Sequence, residues 1–339
     1  MQGAKSIINR VSYGLWIIVI SQVVLLTSCV KEADEFLTDF DNNKISLVVA
    51  DNFNLSSFNA ALKRSGMHQM LKDEAGPFTV LAPSDQAFFN AGYASEMAVL
   101  TAPIRDISRI TQYHTLDGNY ALNKLPFLFN QELRSRGGRL FATHWVKGAD
   151  TVLTINGSRV IAQNISATNG LIQVVDQVLT PYLHDYVGDA IAADQDLTLF
   201  YEALRSSGVL ETLKSSGPFT IFAPDNAAMM ANGYADIHQV LNSNLEELKT
   251  MVQYHIVRDR RFVFDYVLST GSTNTTRQTM LDGNLVTVSL VPNPEAPGSF
   301  NSISLMGSGN TTPIELKKRD ALAGNGLLHV INGMFKLYR

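Results

Sequence analysis

Apolar residues recur along this chain in two different rhythms. Ile45, Val48 and Val49, then Leu55, Phe58 and Leu62, fall three or four positions apart, and Met67, Met70 and Leu71 add a further turn. That spacing predicts helices with one buried face. Phe78 to Ala82 is a brief apolar run after Gly76-Pro77; it is too short for a helix and rich in β-formers, so it predicts a buried strand. Later segments, Leu140–Trp145, Thr151–Ile155, Arg159–Gln163 and Leu171–Val175, are β-rich, with the turn signals Asn156-Gly157 and Asn169-Gly170 between them. Helices early and strands late predict an α+β fold.

The same order of residues then returns. Phe58, Leu62, Gly66 and Leu71 recur 142 positions on as Phe200, Leu204, Gly208 and Leu213. Gly76-Pro77-Phe78-Thr79 and Tyr113-His114 recur 141 on, and Asn169-Gly170-Leu171 recurs 156 on as Asn325-Gly326-Leu327. Order is kept and only one gap opens, which marks a domain duplication rather than a short repeat. The boundary falls near Pro181 to Asp185, giving units at 44–182 and 183–339. The extra length of the second unit lies in VPNPEAPGSFNSISLMGSGNTTP, residues 291–313, whose four prolines and three glycines predict a surface loop insertion.

Comparing the copies separates chemistry from scaffold. GPFTVLAPSDQAF places Ser84 and Asp85 after an apolar run, as a catalytic turn does, but its sister GPFTIFAPDNAAM carries Asp225 and Asn226 there. The first exchange removes a nucleophile and keeps an oxygen able to cap a helix; the second removes acid-base capacity and keeps an acceptor. Asp176 likewise becomes Asn332. With no Ser-His-Asp, paired-carboxylate or His-rich metal pattern, the chain reads as a protein without enzymatic activity, metal or cofactor. What both copies retain is Tyr113-His114 and Tyr254-His255. Ser243-x-x-Glu246 reads as a capping-box start, and Leu245, Leu248, Val252 and His255 share one helical face, so His255 is expected at the core, bonded to a neighbouring loop. His68, His144, His184, His238 and His329 have no histidine counterpart and read as incidental. Trp145 would suit a sugar if exposed and the core if not.

Composition narrows the class. At 45% hydrophobic and 17% charged residues the chain is too apolar for disorder, and 339 residues suit two domains. A net charge of −4 without a basic run argues against nucleic acid as a partner. Lys5 and Arg10 precede an uncharged stretch whose most apolar part is about 14 residues, the length of a signal-peptide core. The stretch ends in Leu26-Thr27-Ser28-Cys29, the chain's one cysteine. This resembles the lipobox of bacterial lipoproteins, which implies a signal peptide over 1–28, lipid attachment at Cys29 and membrane anchoring through the acylated terminus. Residues 29–43 then form an acidic tether, and Lys31-Glu32 resembles the export signal of lipoproteins of the Bacteroidetes group.

The repeated units also resemble fasciclin-like (fasciclin I-type) domains. The features are GPFT-x-x-AP before a short helix, Tyr-His at the end of a central helix, and Asn-Gly-x-hydrophobic near the end, twice in the same order over residues 42–339. The resemblance implies two tandem α+β units, each a twisted β-wedge with helices packed on it. It implies adhesion or extracellular binding of a protein or glycan ligand, with segments around Tyr113-His114 and Tyr254-His255 implicated in receptor adhesion. The expected setting is the cell envelope, at the outer membrane or on the cell surface. A different role on the same features is an accessory substrate-capture subunit within an outer-membrane nutrient importer complex.

Overall fold

A computed structural model of the chain describes residues 43–215 and 217–338. The expected leader, Cys29 and the tether up to residue 42 lie outside the described residues, among which no helix is long and apolar enough to cross a membrane. The first unit opens with α1 (Ile45–Ala50), α2 (Ser56–Ser65) and α3 (Met67–Asp73), where the helical spacing placed them. Gly66 turns the chain from α2 into α3 at φ +80°, and Gly208 does the same in the second unit at φ +74°. Strand β1 (Phe78–Pro83) is followed by α4 (Asp85–Asn90), α5 (Glu96–Thr101) and α6 (Ile104–Tyr113). Then come β2 (Thr115–Asp117), β3 (Gln131–Ser135), β4 (Gly138–Lys147), β5 (Asp150–Ile155), β6 (Ser158–Ala167) and β7 (Gly170–Val175).

The second unit repeats this order. It contains α7 (Val187–Ala193), α8 (Thr198–Ser206), α9 (Val209–Leu213), β8 (Phe219–Pro224), α10 (Asn226–Ala231), α11 (Ile237–Leu241) and α12 (Leu245–Gln253). After β9 (Ile256–Val257) an additional helix α13 (Val263–Ser269) enters, followed by β10 (Thr275–Thr279), β11 (Leu285–Pro292), β12 (Phe300–Gly307), β13 (Ile314–Ala323) and β14 (Gly326–Ile331).

Each unit is one seven-stranded sheet, ordered β2-β1-β7-β6-β5-β4-β3 and, matching it strand for strand, β9-β8-β14-β13-β12-β11-β10. β1 pairs in parallel with β7, and β8 with β14; the other pairings are antiparallel. The apolar run at Phe78–Pro83 is buried along its whole length because both faces are covered. Phe78, Val80 and Ala82 pack under the helices, while Leu81 faces a second cluster with Tyr113, Leu140 and Ile155.

The expected loop insertion at 291–313 is corrected here. Strand β12 lies inside it, carrying Ile303 and Leu305 inward in alternation with Ser302 and Ser304, and it pairs with β11 from Val286↔Gly307 to Val291↔Ser302. Prolines and glycines gather at its ends, which is why composition over the whole window hid a period-two core. Part of the additional length falls in two turns of this stretch, residues 293–299 against Gly148-Ala149 in the first copy and residues 308–313 against Asn156-Gly157, and the rest enters earlier, between Tyr254 and the start of β11.

The repeated motifs meet at one place in each unit. Asn169 accepts from the Ile45 amide through Oδ1 (2.9 Å), donates through Nδ2 to Leu71 O (2.7 Å), and its own carbonyl receives the Phe78 amide (2.9 Å). Asn325 repeats this with Val187, Leu213 and Phe219. Gly170 follows because a Cβ there would stand 1.9 Å from Phe78 O. The threonine of GPFT staples a loop: Thr79 Oγ1 donates to Gly118 O and accepts from the Tyr120 amide, as Thr220 does with Asp259 and Arg261. Replacing Asn169 with Ala leaves the Ile45 amide and Leu71 carbonyl buried and unpaired, and is expected to cost about 3 kcal/mol. Ser84→Ala, which removes one cap, is expected to cost about 1 kcal/mol; urea unfolding of the two variants checks both.

Candidate functional site

α6 and α12 each deliver a Tyr-His pair to the centre of a unit. His114 and His255 have no solvent exposure. His114 Nδ1 lies 2.8 Å from Ile110 O, and its Nε2 is 3.0 Å from the Leu179 amide. His255 makes the same two contacts with Met251 O and the Phe335 amide. A carbonyl only accepts and an amide N–H only donates, so both rings are the neutral Nδ1–H tautomer. Burial lowers each imidazole to about 4. The tyrosines are equally occupied. Tyr113 Oη donates to Arg139 O and accepts from Asn156 Nδ2; Tyr254 Oη donates to Leu285 O and accepts from the Ser308 amide. Burial raises the Tyr113 phenol.

The exchanged acids hold the positions their chemistry allows. Ser84 Oγ accepts from the Ala87 amide and Asp225 Oδ1 from Ala228, each capping a helix. Asp85 holds the Ser57 amide and Asn226 that of Leu199; Asp176 holds Arg159 and Asn332 holds Glu315. One cap is corrected: Asn244, not Ser243, starts α12. Its Oδ1 accepts from the Glu246 and Glu247 amides, while the Ser243 hydroxyl bonds back to Gln239 O. His329 is not incidental: its Nδ1 accepts from the Asp320 amide where Gln173 Oε1 accepts from Asn164, and Asn164 and Asp320 both have positive φ, +54° and +58°. His144 is buried with Nδ1 2.6 Å from Leu125 O. Trp145 is half-buried against Phe129, ring centroids 4.6 Å apart.

The residues that join the two units escaped the repeat comparison. Phe141 of β4 meets Phe262 and Leu327 in a shared apolar cluster, and a Cβ on Gly157 would stand 3.1 Å from that of Phe262. Arg260 is 6% exposed, its guanidinium 3.6 Å from the Phe141 ring centre, and Arg139 and Arg260 both donate to Gly324 O. Asp265 of α13 is fully buried against the first unit. It accepts from Asn130 Nδ2, the Thr143 hydroxyl and the Phe262 amide. Burial outweighs these bonds and pushes its carboxyl up to about 7. Arg260, Asp265, Asn130 and Thr143 lie where the copies differ, so nothing in the sequence pattern marked them.

The arrangement offers structural hydrogen bonds rather than a reactive group beside a free base. Among the described residues no cluster of His, Cys, Asp or Glu is placed to hold a metal ion.

Residues 53–181 and 195–336 each match the fasciclin domain, and the chain belongs to that family. Human periostin is 26% identical over 267 residues, covering 76% of this chain and 28% of periostin. Protein sll1483 of a Synechocystis strain is 30% identical over 135 residues, covering 40% of this chain and 71% of its own length. A solved FAS1 domain pair from the insect cell adhesion molecule fasciclin I aligns with a TM-score of 0.40 and 16% identity, covering 82% of this chain and 95% of that one.

Two pH effects of opposite sign follow from these environments. The lowered histidines contribute stability that is complete above about pH 6.5 and is lost as pH falls toward about 4. Imidazole ¹⁵N spectra are expected to show the neutral Nδ1–H form of His114 and His255 still present at about pH 5. The raised Asp265 carboxyl contributes docking stability that is complete below about pH 4 and is lost as pH rises through about 7. In mild urea, small-angle scattering is expected to give a smaller radius of gyration at about pH 6 than at about pH 8; an Asp265→Asn variant should lose that dependence.

Proposed function

We propose that the chain is a cell-envelope lipoprotein, held at the membrane through Cys29, that acts in adhesion or extracellular ligand binding through its tandem fasciclin domains. One observation carries the binding half of this reading: the polar groups retained in both copies are spent on backbone hydrogen bonds. His114, His255, Asn169 and Asn325 are all bonded in this way. Side chains so committed hold a shape and have no free lone pair or proton to give a substrate. The fold is then a rigid frame, and recognition falls to its surface. Fasciclin domains occur in adhesion and extracellular-matrix proteins, the setting in which such a frame serves.

The anchoring half rests on the apolar stretch that ends at Leu26-Thr27-Ser28-Cys29. A single acyl chain binds a membrane only marginally, so stable anchoring calls for more than one chain on the acylated terminus. Partners on this reading are the membrane and a protein or glycan outside the cell, with an outer-membrane complex as one setting. Labelled palmitate is expected to enter the intact chain and not a Cys29→Ala variant. Beads coated with the soluble portion are expected to bind matrix proteins, neighbouring cells or envelope glycans; absence of binding across such a panel overturns the adhesion role. His114→Ala is expected to lower the melting temperature, with binding by the remaining folded fraction unchanged.

A further inference from the structure

The base of the longer β11–β12 turn, Asn293 and Ser299, is half-buried, while residues 294–298 are exposed. This base forms one wall of a cleft of about 520 Å³ between the two units, within the ~300–1,000 Å³ common for ligand sites. The facing wall comes from the first unit: the end of α4 at Asn90, the start of β6 at Arg159, and Gln177 just after β7. Phe264 of α13 closes the floor, with Asn293 and Asn301 on the hairpin side. Neither unit has this cleft alone.

Its charge is balanced. Arg159 pairs with Asp176 at 2.7 Å, Arg319 donates to the Asn301 carbonyl, and Asp320 accepts from the Val263 amide at 2.8 Å. Two arginines against two aspartates leave no net field to gather a phosphate, a sulfated chain or a cation. What the cleft does present is a set of planar amides. Among the described residues the side chains of Gln177 and Asn301 make no hydrogen bond, and the Oδ1 atoms of Asn90 and Asn293 are used locally while their Nδ2 groups bond to none of those residues. An amide offers a donor and an acceptor side by side, which fits adjacent hydroxyl groups, each itself donor and acceptor. Phe300 is half-buried along the same cleft and supplies an apolar face for the C–H side of a ring, while Phe264 lies beneath the Arg159 guanidinium, whose carbon is 5.8 Å from the Phe264 ring centre.

We infer that this inter-domain cleft binds a neutral, hydroxyl-rich ligand, a segment of an uncharged glycan, with Gln177 and Asn301 as its polar contacts. The inference rests on the extracellular-binding role proposed above and gives that role a site and a ligand class. It also makes the ligand a reporter of docking, because both walls must be in place to hold it.

The test is affinity electrophoresis of the intact chain in detergent, through gels containing laminarin, mannan, xylan or dextran, with heparin and polygalacturonate gels and an immobilised peptide library alongside. The expected result is retardation by at least one neutral polysaccharide, weakened tenfold or more in the Gln177→Ala/Asn301→Ala double variant. These two side chains make no hydrogen bond among the described residues, so the variant is expected to keep the wild-type melting temperature. Retardation that the double variant leaves unchanged overturns the site and spares the adhesion role. Binding confined to heparin, polygalacturonate or peptides overturns the ligand class. No binding to any probe overturns the glycan assignment, while the adhesion role then stands or falls on the cell and matrix panel.

Discussion

A single buried amide side chain per unit holds the architecture together. Asn169 ties the first residue of α1, the end of α3 and the entry to β1 to one point, and Asn325 does the same for α7, α9 and β8. The consequence reaches beyond three bonds. The parallel pairing of β1 with β7 starts one residue later, at Phe78↔Gly170, so the asparagine sets the register in which helices meet sheet. A buried side-chain amide has four hydrogen-bonding positions and tolerates few being empty, so it fixes how α1 meets the end of α3, while the backbone carbonyl of the same residue fixes the entry to β1. Hydrophobic burial supplies most of the driving force, but it is non-directional. Direction comes from the amide.

That division explains what the sequence made legible. Elements whose burial is set within their own residues were readable: the α2 spacing, the continuous run of β1, and the caps at Ser84 and Asp225. The duplication made the scaffold residues readable as well, since exchanges such as Asp85 for Asn226 keep one acceptor and discard the charge. β12 was hidden because prolines and glycines in its flanking turns masked its alternation. The start of α12 was displaced because Ser243 and Asn244 are both able to cap, and only the path of the preceding helix decides that the serine bonds backward to Gln239. Asp265, Arg260 and Asn130 were unreadable for a deeper reason. Their partners lie more than a hundred residues away in the other unit, and no local period reports such a contact.

The copies therefore divide their residues by role. What they share closes each unit; what they do not share joins the units. The joint is chemically unlike the units it connects: a fully buried carboxylate and a nearly buried guanidinium stand there, groups whose removal from water is costly unless partners surround them. Asp265 has three donors, two of them from the opposite unit, and Arg260 has the Phe141 ring and the Gly324 carbonyl. An interface of this kind is selective about geometry, because a small slide would strip those partners from buried charge.

The β11–β12 hairpin carries a consequence of its own. Its register is held by the pairs from Val286↔Gly307 to Val291↔Ser302, and the irregularity sits only at Val291/Pro292, where the turn begins. Residues beyond that point can grow, shrink or change identity without moving a single inward-facing side chain of the sheet. Stability and recognition are thereby assigned to separate stretches of one strand pair. A lineage can rewrite the outer stretch at little risk to folding, in the way an antibody loop varies on an unchanging framework.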